Sequence, residues 1–357
     1  MGINYFLSKE EKKEEKVKSK NNKEQNNDEV KFLELKNNVE LGGNDIIYQI
    51  KQFNSGNIII TTENGKIIVF DKFLNKKKEI KINNDKKNKI CIKNNFIFAT
   101  HNKSLIKIWS IDNSNKNKIE IVLQGEIETN DINGKIIQIS FINDDIIGIK
   151  NKNLFYYIKN EDTYIISKNI SFNGDIYSFL ITKDNKEIIL AKYSNIYTYQ
   201  LKQFKLISII KCHVFGSWRK KLLYIDKYTF GCDYHTLQIS TCLEPTNVLQ
   251  LYNLRTKKLL IEATLDDYEV MYFRGGKFFI SPSFGMWNRI TIYTLKDLEK
   301  RNKFNENNCE DSHKNNITKK LRVEMPYRPK FLSLNGNLLC VWGKYDNYFK
   351  IYEFKYS

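Results

Sequence analysis

The amino-acid sequence predicts an all-β protein built from seven similar repeats of short strands. Two features lead to this prediction. An aromatic residue closes a short apolar β-pattern seven times along the chain, at Phe70, Trp109, Tyr157, Tyr199, Tyr252, Tyr293 and Tyr352. The gaps between these aromatics are 39, 48, 42, 53, 41 and 59 residues, and a repeat of about 40 residues made only of strands is typical of a propeller blade. The sequence therefore predicts a seven-bladed β-propeller of four-stranded blades.

The composition is that of one large closed domain. Hydrophobic residues make up 41% of the 357 residues and aromatics 13%, which is enough for a large core. The chain has no run of about 18 apolar residues, so we expect no membrane span. A few apolar residues precede a charged stretch at the start, which is no secretory signal, and the six cysteines lack a disulfide framework spacing. We expect a cytoplasmic protein, or alternatively a nuclear one.

Residues 1–29 are predicted to be a disordered, charged tail. Residues 8–29 contain one apolar residue among dense mixed charge, and such a segment buries too little surface to offset its ordering entropy. The propeller is predicted to span residues 30–357, with a polar insertion at 296–318 that leaves it on the bottom face.

The first blade shows the strand pattern clearly. Asn64-Gly65 is a pair favoured in tight hairpins, and it separates the second strand from the third. The four strands are predicted at 46–53, 58–62, 66–71 and 79–82. The same pattern predicts the next five blades at 90–123, 136–168, 176–211, 222–264 and 269–324.

Blade seven, at 331–354, has only three predicted strands before the chain ends. The sequence supplies one extra strand at 30–35 (VKFLEL), before the first blade. If this strand completes blade seven, it pairs the two ends of the chain and removes the exposed edges of an open array. We therefore predict a ring closed by an N-terminal strand.

These strand endings resemble the third strand of the WD-repeat family, whose blades end that strand on Trp-Asp. IKIWSID at Trp109 and VFDK at Phe70-Asp71 carry the resemblance, which covers residues 30–357, and tyrosine fills five of the seven aromatic positions. In the family, a His before the first strand, a Ser or Thr on the second and an Asp in the next turn form a hydrogen-bonded set with the Trp. His213 and Asp233 in blade five stand at matching places. The resemblance implies an all-β propeller that serves as a docking platform.

The net charge of +17 invites a nucleic-acid interpretation. However, 51 of the 58 basic residues are lysines in a chain equally rich in Asn and Ile, so codon bias is an alternative interpretation of the charge. Lysine without interleaved arginine and aromatic residues is typical of a solvated surface. We expect no specific nucleic-acid partner.

Large side chains concentrate in the predicted loops of blades five to seven. All seven arginines, all four prolines and three of the four tryptophans lie from residue 218 onward. In propellers of this family, the turn after the second strand and the link between blades share one face, the top. Trp, Tyr and Arg dominate interface energetics. We therefore predict a non-catalytic scaffold, part of a larger complex, that docks a protein or peptide on the top face through Phe215, Trp218, Arg219, His235, Phe284, Met286, Trp287, Tyr327, Arg328 and Tyr345.

Two alternative functions remain open. Arg255 follows Tyr252 at a strand end, where a subset of WD-repeat proteins uses Trp-Asp-x-Arg to contact the adaptor of cullin-type ubiquitin ligases. The chain would then be a substrate receptor. A propeller enzyme or small-ligand binder would instead use the central channel, where Asp226, Asp233 and Glu269 are candidate acids too dispersed to form a site.

No catalytic motif, cofactor or metal is predicted. The sequence has no GxSxG, glycine-rich phosphate loop, HExxH or Cys-x-x-Cys pattern. One cluster has soft metal ligands close together, but its spacing matches no zinc ribbon or knuckle, and we interpret Cys232 as a core residue. Its members are Cys212, His213, Cys232, His235 and Cys242.

Overall fold

A computed structural model gives the architecture of most of the region after residue 29. The residues that it describes are 30–43, 45–82, 86–112, 119–132, 134–192, 195–211, 220–224, 229–236, 246–265, 271–273, 278–282, 289–294, 321–324, 329–333, 338–343 and 345–356. The predicted tail at 1–29 and the predicted insertion at 296–318 lie outside these ranges.

The described residues form strands, turns and bends, as expected for an all-β fold. We number the strands β1 to β28 in chain order and the sheets one to seven. Strand β1 is Val30–Glu40. Sheets one to three comprise β2 Ile47–Gln52, β3 Ile58–Thr62, β4 Lys66–Phe70, β5 Lys76–Lys81; β6 Lys89–Ile92, β7 Ile97–His101, β8 Leu105–Asp112, β9 Glu120–Glu128; β10 Ile136–Ile142, β11 Asp145–Lys150, β12 Asn153–Asn160 and β13 Thr163–Ser171. Sheets four to seven comprise β14 Ile176–Ile181, β15 Glu187–Lys192, β16 Asn195–Gln200, β17 Lys205–Lys211; β18 Lys220–Tyr224, β19 Thr229–Thr236, β20 Thr246–Asn253, β21 Leu259–Leu265; β22 Met271–Phe273, β23 Phe278–Pro282, β24 Arg289–Thr294, β25 Leu321–Glu324; β26 Pro329–Ser333, β27 Leu338–Gly343 and β28 Tyr348–Tyr356.

Within sheets one to six, four consecutive strands pair antiparallel in chain order from an inner to an outer strand. Sheet seven has the order β1-β28-β27-β26, so the N-terminal strand takes its outer position. Strand β1 is longer than the predicted 30–35, because Asn37–Glu40 continue the ladder opposite Tyr348–Ile351. The first and last described strands of the chain are therefore neighbours.

Neighbouring sheets share apolar clusters. Phe53 and Phe98 meet edge to face with ring centroids 6.1 Å apart, which joins sheets one and two. Further clusters join sheets two and three, three and four, and four and five. Phe70 and Phe349 meet at 5.9 Å in a cluster that contains residues of both sheet one and sheet seven. The inner strand β22 of sheet six contacts β18 on one side and β26 on the other.

The side chains of six of these seven third-strand aromatics are described, and each of the six is buried or packs against one of these clusters. Phe70, Trp109, Tyr157, Tyr252 and Tyr352 are buried, and Tyr199 packs against the cluster of sheets three and four. Burial of a large aromatic between two sheets contributes strongly to stability. This explains why the position repeats although its identity changes among Phe, Trp and Tyr.

A β-bulge marks the same position in six outer strands. The register shifts by one residue beside the strand partner of the aromatic in the pairs Phe70/Lys76, Trp109/Leu123, Tyr157/Ile166, Tyr199/Leu206, Tyr252/Leu259 and Tyr352/Leu35. A bulge increases the local twist and interrupts the row of unpaired backbone groups on an edge. The repeated bulge therefore limits unspecific pairing along these outer edges.

The resemblance implied a hydrogen bond from the third-strand Trp to a Ser or Thr on the second strand, and one bond of this kind lies in sheet two. Trp109 Nε1 donates to Thr100 Oγ1 at 2.9 Å. In sheet five, where the sequence placed the set, Asp233 lies within strand β19 opposite Leu249 and not in a turn. The strand continues through Tyr234–Thr236, which are β-favouring residues paired with Thr246–Val248. His213 lies outside the described residues.

Candidate functional site

Most of the predicted top-face surface lies outside the described part of the chain. This holds for eight of the ten predicted residues, namely Phe215, Trp218, Arg219, Phe284, Met286, Trp287, Tyr327 and Arg328. The two others are His235 and Tyr345. The docking role of the eight residues therefore stays a prediction.

Tyr345 lies in the turn between β27 and β28, and 55% of its surface is exposed. The turn is held by the Gly343 amide, which donates to Asp346 Oδ2 at 3.0 Å. Asn347 Nδ2 donates to Glu40 Oε1 at 3.1 Å, and the Leu41 amide donates back to the carbonyl of Asn347. The exposed Tyr345 ring thus lies on a turn that is hydrogen-bonded to the end of β1 and to the residue after it.

The neighbouring Trp342 has a different role. It is buried in the cluster shared by sheets one and seven and is therefore a core residue. Trp342 is thus covered by its neighbours, whereas the Tyr345 ring is exposed.

His235 was predicted in a top-face loop at 234–247, but the structure places its backbone in strand β19, paired with Asn247. The loop is correspondingly shorter, and residues 237–245 lie outside the described ranges. Cys232 is fully buried in the cluster of sheets four and five, which confirms its interpretation as a core residue. In the described ranges, no group of three or more His, Cys, Asp or Glu side chains could hold a metal ion. Cys212, His213 and Cys242 are not among the residues described.

Arg255, the residue of the alternative ligase hypothesis, is exposed in the turn between β20 and β21. The Arg255 and Thr256 amides donate to Asn253 Oδ1 at 2.9 and 2.8 Å. Asp71 closes the corresponding turn of sheet one in the same way. Burial favours protonation of Asp71, but hydrogen bonds from Asn75 and Lys77 outweigh it and hold the pKa of the carboxyl below its ordinary value. The polar residue after the aromatic is therefore a turn cap.

The inner strands, which would line a central channel, use polar side chains to join sheets. Gln138 of β10 makes two hydrogen bonds to the backbone of the next inner strand. Its Nε2 donates to the Phe179 carbonyl at 2.9 Å, and its Oε1 accepts from the Phe179 amide at 3.1 Å. Gln49 accepts from the Ile90 amide, and Ser178 accepts from the Leu222 amide. These polar groups satisfy backbone groups on the inner edges.

Lys89 completes this series between sheets two and three. Its Nζ donates to the Ile137 carbonyl at 2.8 Å, and burial, together with the charge of Lys135, lowers its pKa. Four successive joints between inner strands thus carry a hydrogen bond from a side chain to the backbone. The sequence analysis considered the inner strands only as positions for catalytic acids, and it did not predict this structural role.

Two titratable residues near the first three sheets are deeply buried. Burial and the neighbouring Lys89 ammonium lower the pKa of His101 to about 3, so its imidazole is neutral at pH 7. Lys150 is 2% exposed, and its Nζ donates to the carbonyl and the hydroxyl of Thr129. Lys150 thereby links sheet three to the residue that follows the outer strand of sheet two. Neither residue is placed as a surface acid or base.

The exposed apolar residues form a feature that sequence reasoning missed. Among the described residues, 13 large hydrophobic side chains are exposed, and nine of these lie on outer strands: Leu35, Val122, Leu123, Ile165, Ile166, Leu206, Ile207, Ile209 and Leu259. A signal was present in the sequence. Adjacent apolar residues such as Ile165-Ile166 and Leu206-Ile207 place side chains on both faces of a strand, whereas a strand with one wet face alternates.

No family model matches the chain, and no curated protein was found to be similar to it. A separate observation concerns membranes: none of the described segments is a helix of sufficient length and apolarity to cross a bilayer.

Proposed function

We propose that this chain forms a closed seven-bladed propeller of the WD-repeat type and serves as a non-catalytic platform for protein partners. Ring closure is supported by the pairing of β1 with β28 and by the cluster in which Phe70 meets Phe349. The retained bond between Trp109 and Thr100 supports the resemblance to the WD-repeat family.

One observation carries the functional part of the proposal: large apolar side chains are exposed on the outer strands of consecutive sheets. Exposed apolar groups that lie together mark interaction surfaces. By contrast, the polar residues of the inner strands are engaged with neighbouring backbone. Binding of partners therefore fits the arrangement of groups better than catalysis in a channel.

The top face of blades five to seven is the first docking surface in this proposal. Its support is the exposed Tyr345 on a bonded turn and the concentration of tryptophan and arginine in the sequence of the adjacent loops. Aromatic and arginine side chains are the usual anchors of interfaces.

Affinity capture from native extract tests this surface. The variants Trp218→Ala, Trp287→Ala and Arg328→Ala should each weaken partner capture about thirtyfold, which corresponds to roughly 2 kcal/mol for a central anchor. Their melting temperatures should stay near that of the wild type. The control Lys77→Ala/Lys78→Ala on β5 should change neither property. Unchanged capture, or unfolding of all three variants, would contradict the proposal for this face.

A further inference from the structure

The facing sides of sheets three and four carry, near their outer strands, a surface that is both apolar and basic. Tyr156 of β12, Tyr197 and Tyr199 of β16, Phe172 and Phe204 are partly buried and pack against the core between these sheets. Tyr156 and Phe204 approach to 6.4 Å, and Phe172 and Tyr199 to 5.7 Å. We call the surface formed by these rings and the adjoining residues of β13 and β17 the rim cleft.

Strand register identifies which exposed apolar side chains line the rim cleft. On β17, Leu206 lies opposite Tyr199 and Ile209 lies opposite Tyr197, and residues directly opposite one another share a sheet face. On sheet three, Ile165 lies opposite Ile158. Ile158 shares the face of Tyr156 because side chains alternate along a strand.

These four aliphatic residues are all exposed: Ile158 at 41%, Ile165 at 52%, Leu206 at 44% and Ile209 at 48%. They come from both walls of the cleft. Four exposed aliphatic side chains on two facing sheets differ from a single exposed hydrophobic residue, which is common on monomers.

Two lysines give the rim cleft its charge. Lys168 Nζ lies 4.7 Å from the centre of the Phe204 ring and donates to the Lys202 carbonyl at 3.2 Å. Lys192 Nζ lies 5.1 Å from the Phe172 ring and 4.9 Å from the Tyr197 ring. Within the described residues, neither ammonium has a carboxylate partner.

The charge and the aromatic contacts of the rim cleft argue against two possible occupants, a second copy of the chain and a nucleic acid. A second copy of the chain would bring another positively charged surface, since the net charge is +17. Antiparallel pairing of two β17 strands would also set Lys205 of each copy against Lys211 of the other, and like charges directly opposite destabilise a sheet. Nucleic-acid bases would need free ring faces, but lysine ammoniums already cover Phe204, Phe172 and Tyr197.

We propose that the rim cleft binds a peptide segment of a partner protein in which apolar side chains alternate with carboxylates. The apolar side chains would cover Ile165, Leu206 and Ile209, and the carboxylates would reach the ammonium groups of Lys168 and Lys192. Ion pairs at a partly desolvated site are stronger than those in bulk water. The proposal rests on the proposed role as a protein platform but concerns a surface separate from the top face.

Selection from a random twelve-residue peptide library tests this binding mode. The full chain is the target, and the variant Leu206→Ser/Ile209→Ser is the counter-target. Enriched peptides should combine apolar residues with Asp or Glu, and an enriched peptide should bind the counter-target at least tenfold more weakly in fluorescence anisotropy. Lys168→Glu/Lys192→Glu should cause a similar loss for acidic peptides.

The matched control is Val122→Ser/Leu123→Ser, which removes two residues of similar exposure, 44 and 43%, from the outer strand β9. It should leave peptide binding unchanged, and all variants should melt near the wild-type temperature. Enrichment of basic peptides, equal loss in the β9 control, or displacement of the peptide by single-stranded oligonucleotide would overturn the inference. Sedimentation of the wild type as a dimer that the cleft variant abolishes would do the same, since a second copy would be the occupant. None of these results would alter capture through the top face, so the two proposals fail separately.

Discussion

Replacement of Trp109 probes how an aromatic at the end of a third strand holds two sheets together. Trp109 is 7% exposed, its ring stacks on Phe98 with centroids 6.3 Å apart, and its Nε1 donates to Thr100 Oγ1. Trp109→Ala removes the ring and the bond together, and we expect a loss of about 3–5 kcal/mol in the free energy of unfolding. Trp109→Phe keeps most of the apolar contact but leaves a buried hydroxyl without its donor, which costs about 1–3 kcal/mol.

Urea-induced unfolding followed by far-UV circular dichroism measures these losses, because the free energy of unfolding falls linearly with urea concentration and can be extrapolated to water. The double variant Trp109→Phe/Thr100→Val should cost less than the sum of the two single changes, because both partners of one bond are removed. Thr198→Val is the matched control. The Thr198 hydroxyl is fully buried and has no hydrogen-bond partner among the described residues, so its removal should be neutral or stabilising. Additive effects of the two single changes, or a cost for Thr198→Val equal to that for Thr100→Val, would refute this reasoning.

Three further predictions follow from the joints between sheets. Deletion of residues 1–29 should leave the melting temperature nearly unchanged, whereas deletion of residues 1–40 removes β1 from sheet seven and should lower it greatly; equal melting temperatures would contradict the pairing. Since the pKa of His101 is lowered from 6.5 to about 3, the unfolded chain binds a proton below pH 6.5 that the folded chain does not, and stability should fall from pH 7 toward pH 4. His101→Gln should flatten this pH dependence by at most about 1.4 kcal/mol per pH unit in urea titrations, and an unchanged slope would argue against a neutral buried imidazole. Gln138→Leu should lower the free energy of unfolding by about 1–3 kcal/mol and speed hydrogen exchange of the Phe179 amide. Slow exchange in this variant would contradict the hydrogen bonds between Gln138 and the Phe179 backbone.

The positions of the strands could be predicted because each one combines a short apolar or aromatic run with turn residues on both sides. Ile58–Thr62 was predicted with the bounds that the structure has. Some outer strands were predicted too short. β9 reaches Glu128 because backbone pairing with β8 continues through polar residues, and a ladder needs no apolar side chains once its partner strand is present.

The side-chain contacts between sheets could not be predicted from the sequence. Gln138 bonds the backbone of a residue 41 positions away, and no local pattern distinguishes such a glutamine from one that faces solvent. The rim cleft was missed for a related reason. Whether Leu206 or Ile209 is covered depends on how far sheet three diverges from sheet four at the rim, and strand periodicity carries no information on that separation.

The proposed ring is tested most directly by a cross-link between its two ends. Glu34 of β1 and Glu353 of β28 are register partners, and the Lys36 Nζ lies 3.1 and 3.0 Å from their carboxylates. Cβ atoms of directly opposed residues are about 4.5–5.5 Å apart, close to the distance that a disulfide requires. Under mild oxidation, Glu34→Cys/Glu353→Cys should therefore form an intrachain disulfide, seen as faster migration in a non-reducing gel and as a linked peptide by mass spectrometry. The control pair Glu34→Cys/Glu187→Cys should form none, and equal cross-linking of the two pairs, or no cross-link between positions 34 and 353, would contradict a ring closed by the N-terminal strand.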